Sequence, residues 1–105
     1  MSTKVVIEPG ICKLTCVVVA ESVDDEVNVS LSSDCKAISG LFSELGTTFD
    51  PFEVCLQKPG CGPFFDCARD HFSVHGSCPV LNGVIKAIEV EAKLALPHDA
   101  SIRFE

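Results

Sequence analysis

The side chains best equipped for chemistry in this sequence are its thiols. Seven cysteines stand among 105 residues, at Cys12, Cys16, Cys35, Cys55, Cys61, Cys67 and Cys78. In a reducing compartment such thiols seldom become permanent disulfides, so metal binding or redox chemistry is the leading expectation. The odd count also argues against a complete intrachain disulfide framework. No two of the seven make a Cys-x-x-Cys pair, which excludes a zinc ribbon and a thioredoxin-type motif. Any site must therefore be assembled from separate parts of the fold.

Position sorts the seven. Cys35 and Cys78 fall in the first turns of predicted helices, where unpaired N–H groups and the helix dipole favour a thiolate, the form that soft metals and iron–sulfur clusters bind. Cys12 lies at the start of a predicted strand, just after the Pro9-Gly10 turn. Strand starts and helix starts meet at one rim of an α+β sheet, so these three thiols can converge. Cys61, in the rigid Lys58-Pro59-Gly60-Cys61-Gly62-Pro63 loop, is the candidate for a fourth ligand or a reactive thiol. His75, close to Cys78, can supply a nitrogen ligand to zinc or iron. Free cysteine also serves as a small hydrophobe. Cys16, on one face with Leu14 and Val18, is expected in the core, and Cys55 and Cys67 are evenly balanced between the two roles.

The elements that must hold these residues follow from hydrophobic period. Lys4 to Glu8 reads as a short strand, Ile11 to Ala20 as a longer one, and Glu26 to Ser32 as a third, with Val27, Val29 and Leu31 inward. Asp24-Asp25 marks the connection before the third strand. The period then changes. Ile38, Leu41, Phe42 and Leu45 trace an amphipathic helix, with Ser33 or Asp34 as N-cap and Gly46 as its stop. Asp50-Pro51 opens a short helix running to Leu56, and another places Phe65, Ala68 and Phe72 inward. The longest helix runs from about Pro79 to Leu96 with Ser77 as N-cap and Pro97 as its end; Ser101 to Phe104 reads as a final short strand. The expected fold is a single α+β domain over residues 1–105, an N-terminal antiparallel strand meander followed by helices packed on one face.

Gly10-Ile11-Cys12 leading into a strand, Asp34-Cys35 before a helix, and Ser77-Cys78-Pro79-Val80-Leu81 running on to Ile85-Lys86-Ala87-Ile88 occur in that order. The order resembles the NifU/IscU-type iron–sulfur scaffold proteins, over roughly residues 10–95. Their cluster cysteines lie at a strand start, after the strand meander and at the start of a long helix. The Ser-Cys-Pro element is also similar to a small cysteine-containing domain of some ribonucleotide reductases. The resemblance implies an iron–sulfur scaffold-like fold, Cys12, Cys35 and Cys78 as ligands, an iron–sulfur cluster or zinc as cofactor, and protein partners that donate or accept a cluster. The chain departs from that pattern at Leu14, where the scaffolds carry an acidic residue, at Gly76-Ser77, where they carry a histidine before the third cysteine, and in having no Pro-Pro-Val-Lys-type segment.

Charge narrows the partners. A net charge of −7 with eight Lys and Arg, no basic stripe and no Trp or Tyr excludes nucleic acid as an expected ligand. The acidic residues, including Asp24-Asp25-Glu26, Glu89 and Glu91, read as solvated. Val5-Val6-Ile7, cut by Glu8-Pro9-Gly10, is too short for a secretory leader or a membrane span, so a cytoplasmic location without membrane contact is expected. No hydrolase constellation or phosphate-cradling glycine loop is present, and His71 and His98 stand alone, so no enzyme is expected. The reading is a small cysteine-rich metal-binding protein. The alternatives are a thiol redox or sulfur-carrier protein acting through Cys35 or Cys61, and an interaction module with buried, inert thiols.

Overall fold

A computed structural model of the chain describes residues 2–105. In order it holds β1 (Ser2–Ile7), β2 (Cys16–Val23), β3 (Glu26–Ser33), α1 (Lys36–Leu45), β4 (Thr48–Phe49), α2 (Pro51–Cys55), α3 (Pro63–His71) and α4 (Val80–Glu91). The strands form one antiparallel sheet in the order β1-β2-β3-β4, so the α+β class holds. Strict alternation builds its inner face, with Ile7, Cys16, Val18, Ala20, Val27 and Val29 buried and their neighbours turned outward. The β2–β3 hairpin turns on Asp24-Asp25, with Val23 opposite Glu26 and Asp24 at φ 57, a conformation that Asp tolerates. That tip fixes the register down to Cys16 opposite Ser33, and Cys16 in turn lies opposite Ile7 of β1.

The helices cover the inner face. α4 lies across β1 and β2, α1 lies against β3, and α2 and α3 pack behind them. Ile38, Leu41, Val84 and Ile88 carry the apolar stripes of α1 and α4 into the core. Phe42, Phe49 and Phe64 close the far side, with ring centroids 4.8 to 6.4 Å apart. β4 has a role here that its two residues do not advertise: it brings Phe49 against Phe64.

Two contacts orient α4. Near its start, Gly83 faces Ile7 so closely that a Cβ there would lie 2.3 Å from the Ile7 Cδ1. At its end, Glu91 takes hydrogen bonds from the Thr3 hydroxyl (2.8 Å) and the Ser22 N–H (2.9 Å). Gly83 to Glu91 spans about 12 Å of helix and Ile7 back to Thr3 about 13 Å of strand, so α4 runs antiparallel to β1 with matched length. Glu91 is therefore not the solvated carboxylate its sequence implies; only 7% of it is exposed. Burial alone would raise its pKa, but the bonds from Thr3 and Ser22 outweigh burial and hold it below the usual carboxylate value.

Several boundaries differ from the sequence expectation, each for a local reason. β2 begins at Cys16 and not at Ile11, because Gly10 at φ 104 and Lys13 at φ 58 turn the chain, with the Lys13 N–H bonded to the Gly10 carbonyl. The N-cap of α1 is Cys35, not Ser33 or Asp34; Ser33 Oγ instead accepts the Cys35 N–H at 3.1 Å. α3 buries Phe64 and Ala68, while Phe65 and Phe72 are half-buried. The N-cap of α4 is Pro79, which leaves Cys78 just outside the helix, in a turn closed by its N–H to the His75 carbonyl. α4 ends at Glu91, short of Leu96. Lys93 takes the left-handed conformation at φ 64, and Leu94 N–H bonds the Glu89 carbonyl in a Schellman closure. Ser101–Phe104 forms no strand. Among the described residues no helix is long and apolar enough to cross a membrane.

Candidate thiol centre

One end of the sheet gathers cysteines from four parts of the chain. β1 ends there at Ile7, β2 starts there at Cys16 and β3 ends there at Ser33, as the register requires. The connection between β1 and β2 carries Cys12 across this end. Two residues past Ser33 the chain reaches Cys35 and enters α1. The contact of Gly83 with Ile7 brings the start of α4, and with it Cys78, to the same end.

Their environments differ. Cys16 is fully buried, Cys35 and Cys78 are half-buried against the core, and Cys12 is exposed. Burial pushes the Cys16 thiol above its ordinary pKa, a hydrogen bond from the Ser33 side chain opposes that rise, and the charges of Cys78 and Cys35 add to it. Cys35 and Cys78 are therefore near enough for their charges to act on Cys16. Ser33 lies between two of them: its Oγ accepts the Cys35 N–H, and it stands opposite Cys16 in the sheet. This end of the sheet thus carries soft, ionisable donors from separate parts of the chain.

The sequence-derived candidates are placed as follows. Cys35 and Cys78 both lie at the end of the sheet where Cys16 starts β2, near enough for their charges to act on it. Cys12 is not at a strand start but on the exposed loop, because the turn at Gly10–Lys13 delays β2 by several residues. Cys61 is exposed on the connection between α2 and α3, with its N–H bonded to the Lys58 carbonyl. His75 is exposed in the turn before Cys78. Neither Cys61 nor His75 is among the groups acting on Cys16. Among the described residues, no three of His, Cys, Asp and Glu stand as a ready-made cage for a metal ion.

Sequence reasoning missed Cys16 as a member of this cluster, along with Ser33. The signal was available: a hairpin tip at Asp24-Asp25 places residue 16 opposite residue 33 by counting outward. The two remaining thiols are held protonated. Burial, with Glu89 nearby, pushes Cys55 up to about 11. Cys67 is raised by burial, and its thiol donates to Glu44 Oε2 at 3.3 Å, with the Glu44 and Asp70 charges adding to the rise. Both are thus poor nucleophiles at neutral pH.

No curated protein and no solved structure matches the chain. A family model matches it over residues 3–104, almost its whole length, and the chain belongs to that family, DUF6951, a family of unknown function.

Proposed function

We propose that this chain is a small metal-binding protein whose thiol centre at the end of the sheet holds zinc or an iron–sulfur cluster. The observation that carries the reading is the gathering of Cys16, Cys35 and Cys78 at one end of the sheet, set by the β2–β3 register and by the packing of Gly83 on Ile7. Cys12, on the loop crossing the same end, is the candidate fourth ligand, with His75 and Cys61 as the other candidates that sequence spacing offers. The donor chemistry fits the group: thiolate sulfur is the preferred ligand of zinc and of iron–sulfur clusters. Because the thiols are not arranged as a finished cage, binding requires their side chains to rotate toward a common centre. A cytoplasmic setting, which keeps thiols reduced, and a protein that donates or accepts the metal complete the proposal.

Ligand thiols must lose their protons, and Cys16 holds its proton more tightly than an ordinary cysteine. Metal affinity therefore rises as pH rises through neutrality and beyond, and acid releases the metal. The test is anaerobic purification with metal analysis and visible spectroscopy, followed by reconstitution with zinc or with ferrous iron and sulfide. One bound metal or cluster per chain is expected. Cys16→Ala, Cys35→Ala and Cys78→Ala should each lower that stoichiometry, while Cys55→Ala and Cys67→Ala leave it intact. Full retention in the first three variants, or no uptake under either reconstitution, overturns the proposal.

A further inference from the structure

The hairpin register that sets the end of the sheet also ties two of its thiols together. Cys16 stands directly opposite Ser33, and directly opposed residues share a face with Cβ atoms about 4.5–5.5 Å apart. The Ser33 side chain is therefore the neighbour of Cys16 on the inner face. Its Oγ also accepts the Cys35 N–H at 3.1 Å, so Cys35 is drawn back toward Ser33. A second bond holds the arrangement: the Ser39 hydroxyl, in the first turn of α1, donates to the Ser33 carbonyl at 3.1 Å. Ser33 is thus the shared neighbour of both cysteines.

The two sulfurs differ in access. Cys16 is 0% exposed, out of reach of reagents in solution, whereas Cys35 is half-buried. Cys35 caps α1 at φ −76°, ψ 116°, outside the helical conformation, and a bend at Asp34 precedes it, so it can shift without unwinding the helix. Cα atoms paired across strands lie about 4.5–5.5 Å apart, and a disulfide spans about 4.4–6.8 Å. A bridge from Cys16 therefore has to reach only slightly beyond the position of Ser33. The other thiols lack such a tie. Cys78 sits in a turn closed on the His75 carbonyl, Cys12 lies on the exposed loop, and Cys55 and Cys67 donate to the Ile85 carbonyl and to Glu44.

We propose that Cys35 and Cys16 are a peroxide-sensitive dithiol pair, in which Cys35 meets the oxidant and Cys16 closes the disulfide. Hydrogen peroxide converts the Cys35 thiol to a sulfenic acid and leaves one water. The Cys16 sulfur then attacks the Cys35 sulfur. The S–O bond breaks, the S–S bond forms, and the Cys16 proton leaves with the oxygen as a second water. Burial holds Cys16 protonated more firmly than an ordinary thiol, and adjacency to its target offsets that handicap. A small thiol reductant restores both cysteines by exchange. The bond also takes two sulfurs from the thiol centre and so releases its metal, a consequence that rests on the metal-binding reading.

The test treats the reduced, metal-free chain with hydrogen peroxide under native conditions, followed by alkylation and peptide mass mapping. An intramolecular Cys16–Cys35 bond is expected as the main crosslink, about 10-fold or more above any other pair, and dithiothreitol should remove it. In Cys16→Ala, oxidation of Cys35 should stop at the sulfenic acid, trapped by dimedone. In Cys35→Ala, Cys16 should stay reduced. Cys35 bonded to Cys12 or Cys78, Cys35 oxidised beside a Cys16 that stays reduced, or no oxidation of Cys35 in excess peroxide overturns the proposal. In the zinc-loaded chain, zinc release to a chromogenic chelator should rise in step with the crosslink, and zinc retained by the crosslinked chain overturns the release. Because the mapping uses the metal-free chain, failure to load metal refutes the metal-binding reading alone.

Discussion

Gly83→Ala tests the packing that brings Cys78 to the sheet end. In an exposed helix interior this change gains about 1 kcal/mol of helix propensity. Here the new Cβ would lie 2.3 Å from Ile7 Cδ1 and 2.5 Å from Ile7 Cγ1. Swinging Cδ1 about χ2 does not help, because Cγ1 moves only with χ1, and χ1 of a β-branched residue is stiff. Ile7 is also buried and paired with Cys16, so it has little room to retreat. Overpacking of this kind costs typically 1–3 kcal/mol. We place the cost toward the top of that range, which leaves a net loss of about 1–2 kcal/mol after the propensity gain, or a melting temperature lower by roughly 4–10 °C. Ile7→Ala removes both clashing atoms and leaves only Ile7 Cβ, at an ordinary 3.6 Å. In that background Gly83→Ala should instead stabilise by about 1 kcal/mol, a coupling of roughly 2–3 kcal/mol by double-mutant cycle. Denaturant and thermal unfolding of the four proteins measure it. A Gly83→Ala chain at least as stable as its parent, or the same change in both backgrounds, refutes the close approach of α4 to β1.

Gly40→Ala is the contrasting case: its Cβ meets one atom under 3 Å, Cε1 of the half-buried Phe72 ring at 2.9 Å, and that ring can swing aside, so unfolding should show no loss and up to about 1 kcal/mol of gain. Glu91 has a lowered pKa in the fold, so its contribution to stability is present above the unfolded carboxylate value and fades as pH falls through the folded one. Melting curves across the acid range should therefore converge for wild type and Glu91→Gln at low pH and separate above about pH 4.5; parallel curves would contradict the lowered pKa. Glu91→Ala, which strands the Thr3 hydroxyl and the Ser22 N–H, should cost about 2–3 kcal/mol by denaturant unfolding. In thiol titration of the metal-free chain, exposed Cys12 and Cys61 should react first, with Cys16 and Cys55 reacting only as the protein unfolds. Rapid modification of Cys16 in the native state would remove the buried centre.

How much of this was legible in the sequence depends on whether a feature is local or relational. The alternation of Val27 and Val29, the Ile38–Leu41–Phe42 stripe and the Asp50-Pro51 helix start are local patterns, and the structure realises each of them. The end of α4 was misread because Ala92, Ala95 and Leu96 continue the helical period. Backbone geometry decides the boundary instead, through a left-handed Lys93, and a lysine carries no such signal in sequence. Glu91 was misread because its neighbours on the sequence do not bury it. Thr3 and Ser22 do, and they lie 88 and 69 residues away.

The thiol centre shows the same division within one site. Cys35 and Cys78 were chosen by a local criterion, a cysteine in the first turn of a helix, and the structure places them just short of it, Cys35 at the cap of α1 and Cys78 one residue before the cap of α4. Cys12 was chosen by the same criterion applied to a strand start, and there it fails. Gly10 and Lys13 make a turn inside an apparently extended run, so the strand starts at Cys16 and the buried thiol at that end is Cys16. Relational reasoning would have corrected this, because the Asp24-Asp25 tip forces residue 16 opposite residue 33, two positions before Cys35. Hairpin register is thus a stronger guide to which distant thiols meet than the composition around any one of them. By that measure Cys16 has the better claim to the centre of a site, and Cys12, exposed on its loop, to its edge.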